Sequence, residues 1–276
     1  MKDCRVYSAL RRFAVLLLAV APFATAGLLV DPTGGTSVGL PTSLSQVTRE
    51  LGGTFDLYGT NITAINIAAE GFLGTANLRA KFADRDVDVL AESTSDIGLA
   101  AGPVIAAFYD RFAFGPDTTV TDKSVPNEFY AVTYQQMLGF DDPAQGKTSD
   151  FQVVLFMSDR TLNGFQFLAG DIAISYGQLA SVVDGTLTVG VALDGTNFTG
   201  TPISPGGQLP NVGTLPAGSG FLLYRPQPEF TPHAGTEQGP QQVTYDVSVQ
   251  VSNTPEPATF ALIGIGLTAL GVWKKR

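Results

Sequence analysis

The segment from Val243 to Val251 shows the clearest alternation of apolar and polar side chains in the chain. Val or Tyr occupies every second position, and Thr, Asp, Ser or Gln occupies the positions between. Because successive side chains of a strand point to opposite faces, this alternation predicts a strand buried on one face. Residues 151–157 (FQVVLFM) form a run of strand length without such alternation. This second pattern predicts a strand that is covered on both faces.

Further short apolar runs are separated by turn residues. The additional predicted strands are Thr54–Tyr58, Ile62–Ala68, Val104–Phe108, Phe129–Tyr134, Phe165–Leu168, Ile172–Tyr176 and Leu187–Leu193. The predicted turns are residues 51–53 (LGG), Asn163-Gly164, Gly170-Asp171, Asp184-Gly185 and Asp194-Gly195. Many short strands with frequent turns, and no long 3.6-residue periodicity, are typical of a sandwich or a barrel. We expect a mainly β fold with an antiparallel β-sandwich-like domain.

Two proline-rich stretches interrupt this pattern. Residues 201–220 contain four prolines and five glycines, and residues 225–240 contain four prolines. Because proline has no N–H to donate to a sheet, both stretches are predicted to be loops or edge segments.

The first 26 residues have the features of an export signal helix. Residues 13–20 are apolar, and Ala24-Thr25-Ala26 forms an A-x-A cleavage site before Gly27. The basic residues that precede the apolar stretch are Lys2, Arg5, Arg11 and Arg12. Cleavage before Gly27 would also remove Cys4, the one cysteine of the chain, so we expect no disulfide in the mature protein.

The C-terminal end has a second apolar run, residues 258–273, which as a helix would be about 24 Å long. It ends in Trp273 and is followed by Lys274, Lys275 and Arg276. Clustered positive charge favours the cytoplasmic side of a membrane. The pattern therefore predicts a single transmembrane helix with a basic cytoplasmic tail. Residues 27–253 would then form an ectodomain on the other side of the inner membrane.

The order of features at this end resembles a known sorting signal. Pro255, Glu256 and Pro257 precede the Gly- and Ala-rich apolar run, and the basic tail closes the chain. Residues 254–276 thus resemble a PEP-CTERM sorting signal. The resemblance implies a Gram-negative bacterium that makes exopolysaccharide, and an exosortase as a partner at the inner membrane. It also implies that the helix anchors the protein only transiently, before the protein reaches the cell surface or extracellular matrix.

Four sequence blocks in the body carry a second resemblance. They are residues 105–109 (IAAFY), 129–134 (FYAVTY), 150–156 (DFQVVLF) and 172–177 (IAISYG). In this order they resemble a nidogen-like (NIDO) domain over roughly residues 52–200. The resemblance implies an extracellular β-rich module with a role in adhesion or matrix interaction, and it supplies no catalytic residues.

The charge of the body limits its partners. Residues 27–253 carry 9 basic and 23 acidic residues, a net charge of about −14. An acidic surface of this size repels nucleic acid and anionic lipid, so neither is an expected partner of the body. Such a surface could bind divalent cations loosely, although ordinary solvation explains it as well.

Few residues suggest catalysis or metal binding. His233, the one histidine, lies in the second proline-rich stretch, and the chain has no H-E-x-x-H, P-loop or dinucleotide-binding motif. Asp84, Asp86 and Asp88 form a D-x-D-x-D pattern, but an EF-hand needs Gly and Glu where this chain has Val89 and Ser95. The three acids could form a looser Ca²⁺ loop or the solvent-exposed face of a strand. We expect no other cofactor.

Together these features predict an exported surface or matrix protein that is not an enzyme. Its expected role is adhesion or association with exopolysaccharide in a biofilm, with exopolysaccharide or other matrix proteins as partners. Three alternatives stay open: a glycan-active enzyme that uses a carboxylate pair, a Ca²⁺-dependent carbohydrate-binding module, and a self-assembling structural protein.

Overall fold

The computed structural model describes residues 27–41, 45–75, 102–109, 112–139, 148–179, 188–192, 198–200, 220–228 and 243–251. Within these ranges the chain forms strands and no helix. The strands are β1 (Thr36–Ser37), β2 (Gln46–Leu57), β3 (Thr60–Ala68), β4 (Phe72–Gly74), β5 (Val104–Tyr109), β6 (Phe112–Ala113), β7 (Thr119–Val125), β8 (Phe129–Gly139), β9 (Thr148–Phe156), β10 (Arg160–Leu162), β11 (Phe165–Phe167), β12 (Ile172–Tyr176), β13 (Thr188–Ala192), β14 (Phe198–Gly200), β15 (Gly220–Pro228) and β16 (Val243–Val251). The expected mainly β, antiparallel fold is thereby confirmed.

The predicted signal helix (residues 1–26) and transmembrane helix (residues 258–273) both lie outside the described residues. Inside the described ranges, the structure has no helix of the length and hydrophobicity that a membrane crossing requires.

The strands form two large sheets and one separate hairpin. Sheet 1 has the order β1-β7-β8-β9-β12-β15-β16, with β6 pairing on β8. Sheet 2 has the order β14-β13-β5-β4-β3-β2, and β10 pairs with β11 alone. Neighbouring strands are antiparallel throughout.

The main hydrophobic cluster contains side chains from both sheets. Sheet 2 contributes Phe55 and Ile67, and sheet 1 contributes Tyr130 and Phe151, all at most 1% exposed. Aromatic rings connect the two sheets: the Phe108 ring of β5 stacks on the Phe151 ring of β9 with centroids 5.3 Å apart. Such aromatic contacts add to the burial of apolar area, which is the main stabilising term of the fold.

Strand β9 is covered on both faces, as its sequence predicts. Phe151, Val153 and Leu155 belong to the cluster between the sheets. Val154 and Phe156 belong to a second cluster on the outer face of sheet 1, where the β10–β11 hairpin packs. The Phe167 ring of that hairpin stacks on the Phe156 ring at 4.1 Å. The predicted Asn163-Gly164 turn is confirmed, since it joins β10 to β11 with positive φ at both residues.

The N-terminal segment, residues 27–40, crosses the outer face of sheet 1 and is called the strap below. The Leu29 N–H donates to Ser175 Oγ at 3.1 Å, and the Leu29 carbonyl accepts from Asn163 Nδ2 at 3.0 Å. The Gln152 side chain bonds both the N–H and the carbonyl of Val30, each at 2.8 Å. The strap then pairs through β1 with β7 and buries Val38 between the sheets. Its first residues are therefore part of the folded body.

Residues 51–53 (LGG) were predicted to be a turn, and this prediction is wrong. They lie inside β2, where the pairing with β3 shifts register between Glu50 and Phe55 and forms a bulge. The Gly52 carbonyl accepts from the Asn127 N–H at 3.2 Å, and the Leu51 carbonyl accepts from Ser124 Oγ at 2.7 Å. The bulge is thus stabilised by β7 and the turn after it, which a local sequence pattern cannot reveal.

The stretches at 201–220 and 225–240, predicted to be loops or edge segments, both meet β15. Gly220 and residues 225–228 belong to this strand. Because β12 pairs with β15 only up to Tyr224, residues 225–228 have β16 as their neighbour among the described strands. Proline is tolerated there because no donor is needed on the other side. Residues 201–219 and 229–240 lie outside the described ranges.

The predicted one-sided burial of residues 243–251 is confirmed only in part. Tyr245 is 4% exposed and Val247 packs against the main cluster, but Val249 is 41% exposed. Strand β16 is an end strand of sheet 1, so its burial decreases along its length.

Candidate functional site

A cleft of about 430 Å³ opens between the β2–β3 hairpin of sheet 2 and one end of sheet 1. We call it the distal cleft. It is lined by Thr54, Asp56, Asn61, Phe156, Met157, Ala169, Gly170 and Pro226. Its volume falls in the range of sites that bind small molecules.

One wall of the distal cleft is polar. On β2, the exposed Thr54 and Asp56 alternate with Phe55 and Leu57, which are buried in the core. Asn61 of β3 is the register partner of Asp56 and is likewise exposed. Asp56 Oδ1 accepts from the Gly59 N–H at 2.6 Å, which fixes the carboxylate. Within the described ranges, neither the Thr54 hydroxyl nor the Asn61 amide forms a hydrogen bond, so both can bind a ligand.

The lining residues outside the β2–β3 hairpin are apolar. Met157 and Pro226 are partly exposed, while Phe156 and Gly170 are buried behind them. A pocket with an apolar wall and a few well-placed polar groups is typical of sites that orient a small ligand.

An ion pair between Asp171 and Arg225 stabilises the segments that carry Gly170 and Pro226. The Asp171 side chain is fully buried, and the Arg225 guanidinium donates to it from Nη2 at 2.7 Å and from Nε at 3.0 Å. The Asp171 carboxylate also accepts from the Leu168 N–H at 2.8 Å. The bond to Asp171 raises the pKa of Arg225 above its usual value. The pair joins the start of β12 to β15 and thereby fixes Gly170 and Pro226.

Two tyrosines hold the polar wall against the end of sheet 1. The Tyr58 and Tyr245 rings meet edge to face with centroids 4.8 Å apart. Tyr58 Oη donates to the Val191 carbonyl at 2.9 Å, and Tyr245 Oη donates to the Asp56 carbonyl at 3.5 Å. Burial raises the pKa of Tyr245, so its hydroxyl stays protonated and remains a donor.

The distal cleft lies at the opposite end of sheet 1 from the two ends of the described body. Leu29 is bound at Ser175, and the registers place Ser175 beside Phe221 and Phe221 beside Gln250. Leu29 and Val251 therefore lie near the same end of the sheet, where β15 begins. The cleft residue Pro226 lies near the other end of β15, about 20 Å away at the usual rise of a strand.

Asp56 is the one carboxylate among the described residues that line the cleft. In the part of the chain that the structure describes, no group of three or more His, Cys, Asp or Glu side chains could hold a metal ion.

Most residues that the sequence singled out lie outside the described ranges. These are Ala24, Ala26, Asp84, Asp86, Asp88, His233, Pro255, Glu256, Pro257, Trp273, Lys274, Lys275 and Arg276. Gly27, the residue after the predicted cleavage site, is the first described residue. The calcium-loop and cleavage-site predictions stay predictions.

Sequence reasoning placed Thr54 in a strand but did not single out the cleft residues. A weak signal existed, because Asp56 and Asn61 flank a short hairpin turn and face away from apolar neighbours. They line one cleft with Met157 and Pro226, which are distant in sequence, and no local pattern encodes this.

Comparison with known proteins identifies one segment. Residues 253–276 match the family described as the PEP-CTERM protein-sorting motif. No curated protein and no solved structure matches the chain. The C-terminal segment is therefore a PEP-CTERM protein-sorting motif, which implies an exported protein that is processed by an exosortase.

Proposed function

We propose that this protein is delivered to the bacterial surface or extracellular matrix, where its β body binds matrix glycan without catalysis. The sorting motif at residues 253–276 is the observation that carries the proposal. The nidogen-like sequence blocks at residues 105–177 support it, since such modules act in adhesion. They fall on β5, β8, β9 and β12, the central strands of the two sheets.

The test is association with the polysaccharide of the producing bacterium. The full-length gene is expressed in that bacterium. We expect the resulting protein to co-sediment with the purified extracellular polysaccharide. Protein from a strain that lacks the polysaccharide should bind when the polymer is added back. Absence of co-sedimentation in both cases, with the protein folded by circular dichroism, would contradict the proposed role.

A further inference from the structure

We propose that the distal cleft binds an uncharged hexose unit of a polysaccharide. In this arrangement Asp56 and Asn61 contact the sugar hydroxyls, and Met157 and Pro226 cover its C–H face. The inference rests on the proposed function, because it names the class of glycan that the cleft would bind.

The hydrogen-bonding groups of the polar wall match sugar hydroxyls. A hydroxyl both donates and accepts, so its partners should offer both capacities. The Asp56 carboxylate is an acceptor, the Asn61 amide both donates and accepts, and the Thr54 hydroxyl does the same. Asp56 Oδ1 already bonds the Gly59 N–H, so Oδ2 is the oxygen left for a ligand.

The apolar wall matches the other side of a pyranose ring. One face of such a ring presents C–H groups, which are favourably buried against apolar side chains. Met157 and Pro226 supply such a surface in the same cleft as Asp56 and Asn61. A flexible thioether adapts to the shape that it contacts, so Met157 can fit more than one hexose.

The charge of the described cleft residues disfavours acidic ligands. Asp56 is the one charged side chain among the described lining residues, and its charge is negative. The nearby Arg225 guanidinium is bound to Asp171 and the Gln166 carbonyl, so it does not offset that charge. A uronate, sulfate or phosphate would therefore be repelled at close range. A neutral sugar has no such penalty.

Intramolecular contacts order the residues on both sides of the cleft. The Asp171–Arg225 pair fixes one wall, and the Tyr58–Tyr245 contact fixes the other. A site that is already ordered loses less entropy when it binds.

The experiment is an NMR titration of the ¹⁵N-labelled protein, purified from the producing bacterium after export. The neutral probes are maltohexaose, cellohexaose and mannohexaose, and a polygalacturonate oligomer is the anionic control. The Asn61 side-chain amide signals are assigned by their loss in Asn61→Ala. We expect at least one neutral probe to shift these signals, and the anionic control to leave them unchanged.

Variants then connect the shift to affinity. Asn61→Ala should weaken binding by about fivefold or more, as expected for the loss of one or two hydrogen bonds. Thr54→Ala should weaken binding less than Asn61→Ala does. Asp56→Asn serves as a second variant if Asp56→Ala fails to fold, because the Asn side chain keeps an acceptor for the Gly59 N–H. Thr119→Ala is the matched control, because Thr119 is exposed on β7 at the opposite end of sheet 1.

The outcomes separate the two proposals. If the producer's polysaccharide binds but Asn61→Ala binds equally well, the cleft assignment is wrong and the proposed function stands. If the anionic oligomer shifts the Asn61 signals as strongly as the neutral probes, the charge argument is wrong. If neither the probes nor the producer's polysaccharide binds, both proposals are overturned.

Discussion

Gln152→Ala is expected to lower the free energy of unfolding by about 3 kcal/mol. The Gln152 side chain is fully buried, and it bonds the Val30 N–H, the Val30 carbonyl and Thr133 Oγ1. Each lost hydrogen bond costs about 1 kcal/mol, and a buried N–H left without a partner costs about 1–3 kcal/mol. Chemical denaturation followed by circular dichroism measures the difference.

Gln166→Ala is the matched control for this substitution. Gln166 lies on β11 with its side chain exposed, so the same chemical change should alter stability by at most about 0.5 kcal/mol. If the strap is as important as its contacts indicate, amide exchange at Leu29 and Val30 should also accelerate in Gln152→Ala. Equal stability of the two variants would show that the strap contributes little.

Arg225→Met is expected to destabilise the protein by about 3 kcal/mol. The substitution leaves the fully buried Asp171 carboxylate without its cationic partner. Breaking a buried pair by removing one member costs about 3–5 kcal/mol, and the lower value applies because the Arg225 side chain is 34% exposed. Urea denaturation at pH 7 measures the effect.

Arg160→Met separates the buried pair from an ordinary surface pair. Arg160 bonds Glu128 at 3.0 Å and lies over the Phe129 ring, but the Glu128 side chain is 52% exposed. We expect a loss of about 1 kcal/mol. Adding Asp171→Asn to Arg225→Met should restore part of the lost stability, because a buried amide is less costly than an unpaired charge. A double variant less stable than Arg225→Met would contradict this explanation.

Much of the fold could be predicted from the sequence, because strand periodicity is local. Residues 151–157 and 172–176 were predicted from their apolar runs, and both lie on the central strands β9 and β12. The error at residues 51–53 arose because tertiary pairing decides the structure there. The glycines look like a turn, yet β7 and the following turn hold them in a bulge.

The candidate site was less accessible to sequence reasoning. The same holds for the strap: Gln152 is the one polar side chain in residues 151–157, and its role depends on Val30, which is 122 residues away. The cleft likewise combines Asn61 with Pro226 from distant parts of the chain. In contrast, the sorting segment could be identified from sequence because its features are contiguous at residues 253–276.

The most direct test of the central claim is to locate the protein in the producing bacterium and measure its intact mass. Cell fractions are probed with an antibody against the ectodomain, and the recovered protein is analysed by mass spectrometry. We predict recovery at the outer surface or in the medium, with a chain that begins at Gly27 and lacks the residues after Pro257. Recovery in the inner membrane, with Trp273 and the basic tail still present, would contradict sorting by an exosortase.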